Sequence, residues 1–377
     1  EIVEQRVLES VKSYSSEYHS YVERHRERMP VGVQPFEALP SVVLMPGIGA
    51  VCAGRDAAAA RIVRDITEHT LAVKARIGAA ANYQGLSEPE LFDMEYHLLQ
   101  HAKLNRAQGP ALLGEVAVVT GAAGAIGSAV AEALLREGCH VAVTDLPGEP
   151  LDRLVAELSA KYEGQITGVT LDVTDPNSVA AGFERVIRTW GGVDLVVVNA
   201  GAAMVSPLTE ITLDSFRRLE RINVEGSLLV LAEAGRRFKV QRTGGDVVLI
   251  STKNVFAPGA RFGAYSATKA AAHQLARIAS LEMAEIDVRV NMVSPDAVFA
   301  HGERRSGLWA AVGPDRMRAR GLNENELEEY YRGRNLLKLQ VTGQHVANAV
   351  LFFATRQTPT TGATLPVDGG LPDATPR

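Results

Sequence analysis

From residue 115 onward, short apolar runs of four or five residues recur between longer stretches whose apolar positions repeat at helical spacing. The runs are Val116–Thr120, His140–Thr144, Gly168–Leu171, Leu195–Asn199, Val247–Ser251, Val288–Met292 and Ala363–Pro366. They are rich in Val, Ile and Leu and lack a clean in/out alternation, as strands buried on both faces require. Helical spacing fills the gaps at Ile126–Arg136, Leu151–Lys161, Asn177–Thr189, Ser215–Phe238, Tyr265–Met283 and Gln344–Thr355. Strands alternating with helices in this way predict an α/β fold with a parallel sheet. Seven of them describe a Rossmann-like, doubly wound sheet.

The first 108 residues read differently. Val7, Val11, Tyr14, Tyr18 and Tyr21 form one face of a long amphipathic helix that Met29-Pro30 ends. Val42–Met45 reads as a strand, and a Gly-rich stretch to Gly54 follows it. Asp56 is placed to cap a helix from Ala57 to about Ala79. A last helix, about Ser87–Leu104, carries Leu91, Met94, Leu98 and Leu99 on one face. This predicts a mostly helical extension, residues 1–108, with little core of its own. Gln108-Gly109-Pro110 marks the boundary to a second domain, residues 109–377. A charged segment at about 300–336 is long for a connection and is expected to form a lid-like insertion.

Composition removes several classes of function. Lys plus Arg is 39 against 44 for Asp plus Glu, a net charge of −5, which lacks the basic surplus of a nucleic-acid or anionic-membrane binder. No apolar run reaches the ~18 residues of a membrane span, and no signal peptide is visible. The only cysteines, Cys52 and Cys139, exclude a disulfide scaffold and a four-thiolate zinc site. A reducing, cytoplasmic setting is the expectation. The chain begins at Glu1 rather than Met, so a fragment of a longer protein is also expected.

Two constellations carry chemistry. Thr120-Gly121-Ala122-Ala123-Gly124-Ala125-Ile126-Gly127 follows the first strand and opens a helix. Such a turn brings backbone N–H groups and a helix N-terminus to a pyrophosphate. The next strand ends in Asp145, 18 residues after Gly127. A carboxylate there accepts ribose hydroxyls and repels a 2′-phosphate, and no Lys or Arg lies between His140 and Pro150 to neutralise one. NAD is therefore expected over NADP.

Tyr265 and Lys269 are four residues apart at the start of a helix and share one face. An ammonium beside a phenol lowers its pKa and makes it a usable proton acceptor. Ser251 and Thr252 end the strand before it, where ligands sit in open α/β sheets; either hydroxyl suits a substrate oxygen. Asn223 interrupts an otherwise apolar helix. Lys253, with Asn254 beside it, and Arg304 and Arg305 in the charged segment, are candidates to hold a carboxylate or phosphate. His97 and His101 are one helical turn apart, but no third ligand is evident, so no metal site is expected.

Together these motifs resemble the short-chain dehydrogenase/reductase family over residues 112–377. The resemblance implies an oxidoreductase, commonly a homo-oligomer. It implies NAD(P) held by Gly121, Ala123, Gly124, Ala125, Ile126 and Gly127, by Asp145, Asp172 and Val173, and by Asn199-Ala200-Gly201. Pro295, Asp296 and Val298 complete the cofactor site, together with Tyr265 and Lys269. The implied catalytic set is Asn223, a hydroxyl at Ser251 or Thr252, Tyr265 and Lys269. Tyr265 would be the acid/base, Lys269 would hold the nicotinamide ribose and depress the tyrosine pKa, and Asn223 would anchor a relay water. The family spacing of 13 residues before the tyrosine favours Thr252 over Ser251. Asp296, where the family has glycine, puts a carboxylate beside the expected substrate.

The segments Ser251–Gly259, Ser294–Phe299, Ser306–Trp309 and Thr364–Gly370 are similar to a narrower family, in which a class II aldolase precedes a lactaldehyde dehydrogenase of rhamnose catabolism. This implies oxidation of a small hydroxy-aldehyde or alcohol, and an aldolase domain in the longer chain. Residues 1–108 resemble the segment after that aldolase's core. No clustered metal ligands are visible, so no aldolase activity is expected here. The alternatives are a dehydrogenase of another polyol, sugar or sugar phosphate, and an NAD-binding scaffold with little turnover.

Overall fold

The computed structural model describes residues 2–78, 81–98 and 109–374. The chain divides into two compact units, Glu1–Gly109 and Pro110–Arg377.

In the first unit, α1 (Ile2–Arg24) is followed by an antiparallel hairpin of β1 (Val42–Met45) and β2 (Gly49–Cys52). The Gly-rich stretch is thus the second strand of a pair. Next come α2 (Ala57–Gly78) and α3 (Glu88–Glu95). Asp56 caps α2, its carboxylate accepting the Ala59 N–H at 2.7 Å. The helix expected to run on from Ser87 ends at Glu95. Its buried residues are Phe92 and Tyr96, whereas Leu91, Met94 and Leu98 are exposed. An aromatic cluster with Tyr18 and Tyr21 of α1 decides that orientation: the Tyr21 and Phe92 rings are 5.5 Å apart and the Tyr18 hydroxyl donates to Glu95 at 2.6 Å. His101 and Leu99 lie outside the described residues.

The second unit is built on a seven-stranded parallel sheet in the order β11-β8-β7-β6-β3-β4-β5. The strands are β3 (Val116–Thr120), β4 (His140–Asp145), β5 (Ile166–Thr170), β6 (Leu195–Val198), β7 (Gly245–Ile250), β8 (Val288–Pro295) and β11 (Thr364–Val367). Strands β3, β6 and β7 are buried along their whole length, as their unalternated apolar runs require. One face packs on α4 (Ala125–Arg136), α5 (Glu149–Ser159) and α12 (Gly343–Ala354). The other packs on α6 (Pro176–Trp190), α8 (Gly226–Gln241) and α9 (Gly263–Glu282). The winding reverses between β3 and β6, which opens a crevice at their carboxyl ends.

The helix expected at Ser215–Phe238 is interrupted. α7 (Leu213–Glu220) passes through a π turn, Arg221–Glu225, before α8 begins. Asn223 sits in that turn, fully buried. The charged segment after β8 folds into a short ribbon, β9 (Ala300–His301) with β10 (Arg304–Arg305), and two helices, α10 (Gly307–Arg320) and α11 (Glu324–Gly333). It has its own small core of Phe299, Trp309, Leu327 and Tyr331, with the Phe299 and Trp309 rings stacked at 4.5 Å. No described helix is long and apolar enough to cross a membrane.

Candidate active site

A cavity of about 1190 Å³ lies along the carboxyl edge of the sheet. At one end is the turn between β3 and α4. Gly121 adopts φ +62°, and a Cβ there would lie 2.8 Å from the Ala200 Cα. A Cβ on Gly127 would lie 2.4 Å from the Gly121 carbonyl oxygen. Only glycine fits either position, so the backbone packs as closely as it can. The first-turn N–H groups of α4 have no intrahelical acceptor, and Gly124 supplies no side-chain cap. They form a cradle suited to a pyrophosphate.

Two side chains fix this turn. Asp145, at the end of β4, accepts the Ala123 N–H at 2.9 Å and the Leu146 N–H at 2.8 Å. Asn199 donates to the Thr120 and Gly121 carbonyls at 2.8 and 2.9 Å, tying the end of β6 to the turn. Asp172 folds over its own loop, accepting the N–H and hydroxyl of Thr174, each at 2.8 Å. Val173, Ala200, Gly201, Pro295, Asp296 and Val298 line the same cavity. A glycine cradle, a helix N-terminus and a carboxylate at the second strand end together match what a nicotinamide dinucleotide needs.

Tyr265, Lys269, Thr252 and Ser251 line the middle of the cavity. The two hydroxyls have different partners. Thr252 hydrogen-bonds the Tyr265 phenol, whereas the Ser251 Oγ lies 2.9 Å from the His273 Nδ1, and the Nε2 of that ring lies 3.3 Å from the Thr364 Oγ1. Of the two candidates, Thr252 is aimed at the tyrosine.

Tyr265 is buried, and burial pushes its pKa up to about 12 against the opposing pull of the Thr252 hydrogen bond. The expected depression by Lys269 is not what this arrangement gives. The Lys269 ammonium donates to the Ile250 carbonyl at 3.0 Å, and burial pushes it down to about 8. Its charge is spent on a backbone oxygen and weakened by desolvation.

Asn223 is not among the residues lining the cavity. Its amide accepts the Ala202 N–H and donates to the Ala202 carbonyl, both at 2.9 Å, and donates to the Thr268 hydroxyl at 3.0 Å. Both amide donors are used. A Cβ on Gly201 would meet Asn223 Oδ1 at 3.1 Å and Lys269 Nζ at 3.3 Å, so the three groups are close-packed. Asn223 therefore braces the loop after β6 against α9.

At the other end lie Lys253, Asn254, Phe262, Asp296, Arg316, Tyr331 and Arg334. Of Arg304 and Arg305, expected as anion holders, Arg305 lines the cavity and Arg304 does not; Arg304 pairs with Glu157 and Arg305 with Glu324. Arg316 and Arg334 were not singled out by sequence, because they sit among many charges in the segment after β8. Arg334 grips Asp296, with Nε 3.2 Å from Oδ2, and lies 4.2 Å over the Tyr331 ring. That pair answers the carboxylate that Asp296 brings into the site. Arg316 is buried, 4.9 Å over the Phe262 ring.

Residues 115–307 match the family model described as short chain dehydrogenase, and residues 1–104 match that of the second domain of class II aldolases. The chain is 36% identical over 372 residues to the oxidoreductase YuxG of Bacillus subtilis; the match covers 98% of this chain and 53% of YuxG, so the chain spans about half that relative's length. It is 33% identical over 221 residues to a sorbitol dehydrogenase of Cereibacter sphaeroides, covering 54% of this chain and 85% of that one. The crystal structure of sorbitol-6-phosphate 2-dehydrogenase SrlD from Erwinia amylovora superposes with a TM-score of 0.63 at 29% identity, covering 67% of this chain and 98% of that one. With the glycine cradle, the Tyr265/Lys269 pair and these similarities taken together, the chain belongs to the short-chain dehydrogenase family of oxidoreductases.

Proposed function

We propose that the second unit is an NAD-dependent dehydrogenase of a small hydroxylated substrate, with Tyr265 as its proton-transfer group. The observation that carries this is the buried Tyr265–Thr252 hydrogen bond, one helical turn from Lys269, midway along a cavity that opens on a glycine cradle. Gly121 and the residues from Ala123 to Gly127 would hold the pyrophosphate; Asp145, Asp172 and Val173 the adenosine; Asn199 to Gly201, Lys269, Pro295, Asp296 and Val298 the nicotinamide end. Asp145 favours NAD, since a 2′-phosphate would meet its carboxylate. When bound, the nicotinamide supplies the acceptor for the hydride that leaves the substrate carbon.

Thr252 donates to the substrate oxygen or passes its proton toward Tyr265. The Tyr265 phenolate takes the hydroxyl proton in oxidation, and the phenol returns it in reduction. Burial works against the phenolate, so oxidation gains base as pH rises.

For the substrate, we nominate lactaldehyde, oxidised to lactate. The support is the similarity to rhamnulose-1-phosphate aldolase/lactaldehyde dehydrogenase fusions, together with the aldolase-type match of residues 1–104. The aldehyde enters as its gem-diol. One O–H proton goes to Tyr265, the C–H leaves as hydride, and the carbon becomes a carboxylic acid. No thiol is required: Cys139 is fully buried with its thiol pushed up by burial, and neither cysteine is among the residues lining the cavity. A second reading, a sugar, polyol or sugar-phosphate dehydrogenase, is favoured by the cationic side chains at the far end of the cavity.

The test is turnover of L-lactaldehyde with NAD⁺, followed by absorbance of the reduced cofactor, with the product identified. Lactate formation that disappears in Tyr265→Phe is the expected result. NAD⁺ binding without lactaldehyde turnover sinks the nomination and moves attention to polyols and sugar phosphates.

A further inference from the structure

The end of the cavity beyond Tyr265 carries more positive charge than its own partners consume. Lys253, Arg316 and Arg334 all line it. Lys253 and Arg316 are more than nine-tenths buried. The carboxylates facing this group are Asp296, held by Arg334, and Asp373, whose charge acts on Lys253. Lys253 donates one hydrogen bond, to the Ala257 carbonyl at 3.0 Å, and has two N–H groups left. Arg316 packs on Phe262 and hydrogen-bonds the Tyr331 phenol, while its Nε is buried with no hydrogen-bond partner among the described residues. Leaving a buried guanidinium donor unpaired is costly. Arg334 directs Nε and one terminal nitrogen at Asp296.

These three cations come from three elements: the turn after β7, α10, and the residue that follows α11. Phe262 links them to the reaction centre, its ring 6.0 Å from that of Tyr265 and 4.9 Å from the Arg316 guanidinium. A solvated charged face would leave such groups in water. Here Lys253 and Arg316 are buried and Arg334 half-buried, in a cavity next to a proton-transfer tyrosine.

We infer that Lys253 and Arg316, with Arg334 behind them, form an oxyanion subsite that holds a carboxylate or phosphate group of the substrate or product. This rests on the reading of the cavity as the substrate site, but not on lactaldehyde as the substrate. Guanidinium and ammonium groups together suit a group with several acceptor oxygens. A substrate carrying its anion at one end would present its hydroxyl-bearing carbon toward Thr252 and Tyr265. If the substrate is a neutral aldehyde, the same subsite takes the carboxylate that oxidation creates.

The experiment is calorimetric titration of the chain with inorganic phosphate and, separately, with L-lactate, and NAD⁺ is titrated as a control. The wild-type chain is expected to bind at least one of the two anions. Arg316→Gln should weaken that binding roughly tenfold or more, the loss expected for one charge-assisted contact, while NAD⁺ affinity is retained. Lys253→Met, a change on a different element, should act in the same direction and covers the case in which Arg316→Gln does not fold. Tighter binding of phosphate points to a phosphate ester, and tighter binding of lactate to a carboxylate. Absence of binding by the wild-type chain overturns the inference, as does binding that both variants leave unchanged. Because the readout is binding, it separates from the lactaldehyde assay: anion binding without lactaldehyde turnover leaves the subsite standing, and turnover without anion binding removes the subsite alone.

Discussion

The two ends of the cavity are built by opposite means. The cofactor end is made of backbone: a glycine turn, a helix N-terminus, and two polar side chains, Asp145 and Asn199, whose contacts fix main-chain groups. The substrate end is made of long side chains from separate elements, Lys253, Arg316, Tyr331 and Arg334, held by ion pairs and ring contacts. The first construction tolerates almost no change in shape. The second can be retuned one side chain at a time, which suits a family that includes sorbitol, threitol and butanediol dehydrogenases. A rigid cofactor end and a variable substrate end place the same chemistry on different molecules.

That contrast can be broken at several points. The largest effect is expected at the centre, which both ends serve. Tyr265→Phe should lower kcat roughly 10²–10⁴-fold, the usual worth of a positioned acid/base, while NAD⁺ affinity from a direct titration stays near wild type. Next comes the cofactor end. Gly127→Ala places a Cβ 2.4 Å from the Gly121 oxygen and 2.7 Å from the Ala122 Cα, both backbone atoms that cannot swing aside. NAD⁺ binding should weaken about 10–100-fold. Normal NAD⁺ affinity in this variant would show that the cradle is not where the cofactor sits.

A smaller effect concerns pH and stability. Burial holds Lys253 and Lys269 near 8, against the ordinary 10.5. Below about 8 both are protonated in the folded and unfolded chain alike, and their burial penalty is present in full. Between about 8 and 10.5 the unfolded chain binds more protons, so these two groups raise stability as pH rises. Tyr265 acts in the opposite sense: its folded value near 12 exceeds the ordinary 10.0, so its contribution is lost as pH rises from about 10 to 12. Denaturant midpoints at pH 7 and 9.5 should therefore show a lysine-driven rise that Lys253→Met reduces. An unchanged slope in that variant would mean that Lys253 is not a buried charge.

The smallest effect is expected at the thiols. Cys139→Ala should cost about 1 kcal/mol of stability as a core truncation, and neither it nor Cys52→Ala should abolish turnover. Loss of aldehyde oxidation in a folded Cys139 variant would replace the hydrate route with a covalent one.

Local signals carried much of this reading. The seven strands stand within a few residues of where their apolar runs put them, because a strand buried on both faces is written as a continuous Val/Ile/Leu segment. The glycine turn was legible for a similar reason: its eight residues are contiguous, and tight backbone approach admits little but glycine at its key positions. Two expectations fared less well, one in each unit. The amphipathic face assigned to Leu91 and Met94 is exposed, because aromatic contacts with residues some 75 positions earlier outweigh the local periodicity. The single helix at Ser215–Phe238 is broken by a π turn whose cause, the Asn223 amide bound to Ala202 and Thr268, is long-range.

By itself, then, the sequence determined the sheet, the cofactor cradle and the Tyr265/Lys269 pair, since each is encoded by residues within one turn or one strand of each other. Only the tertiary structure decided which hydroxyl meets Tyr265, where the Lys269 charge is spent, and which cations gather beyond the reaction centre. Ser251 and Thr252 are adjacent in the chain, and their fates differ because alternate side chains leave a strand end in opposite directions, one to His273 and one to the phenol. Arg304 is as basic as Arg316, but folding pairs the first with Glu157 and brings the second into the cavity, its Nε without a hydrogen-bond partner among the described residues. Charge is a property of a residue; whether it is neutralised depends on what the fold places beside it.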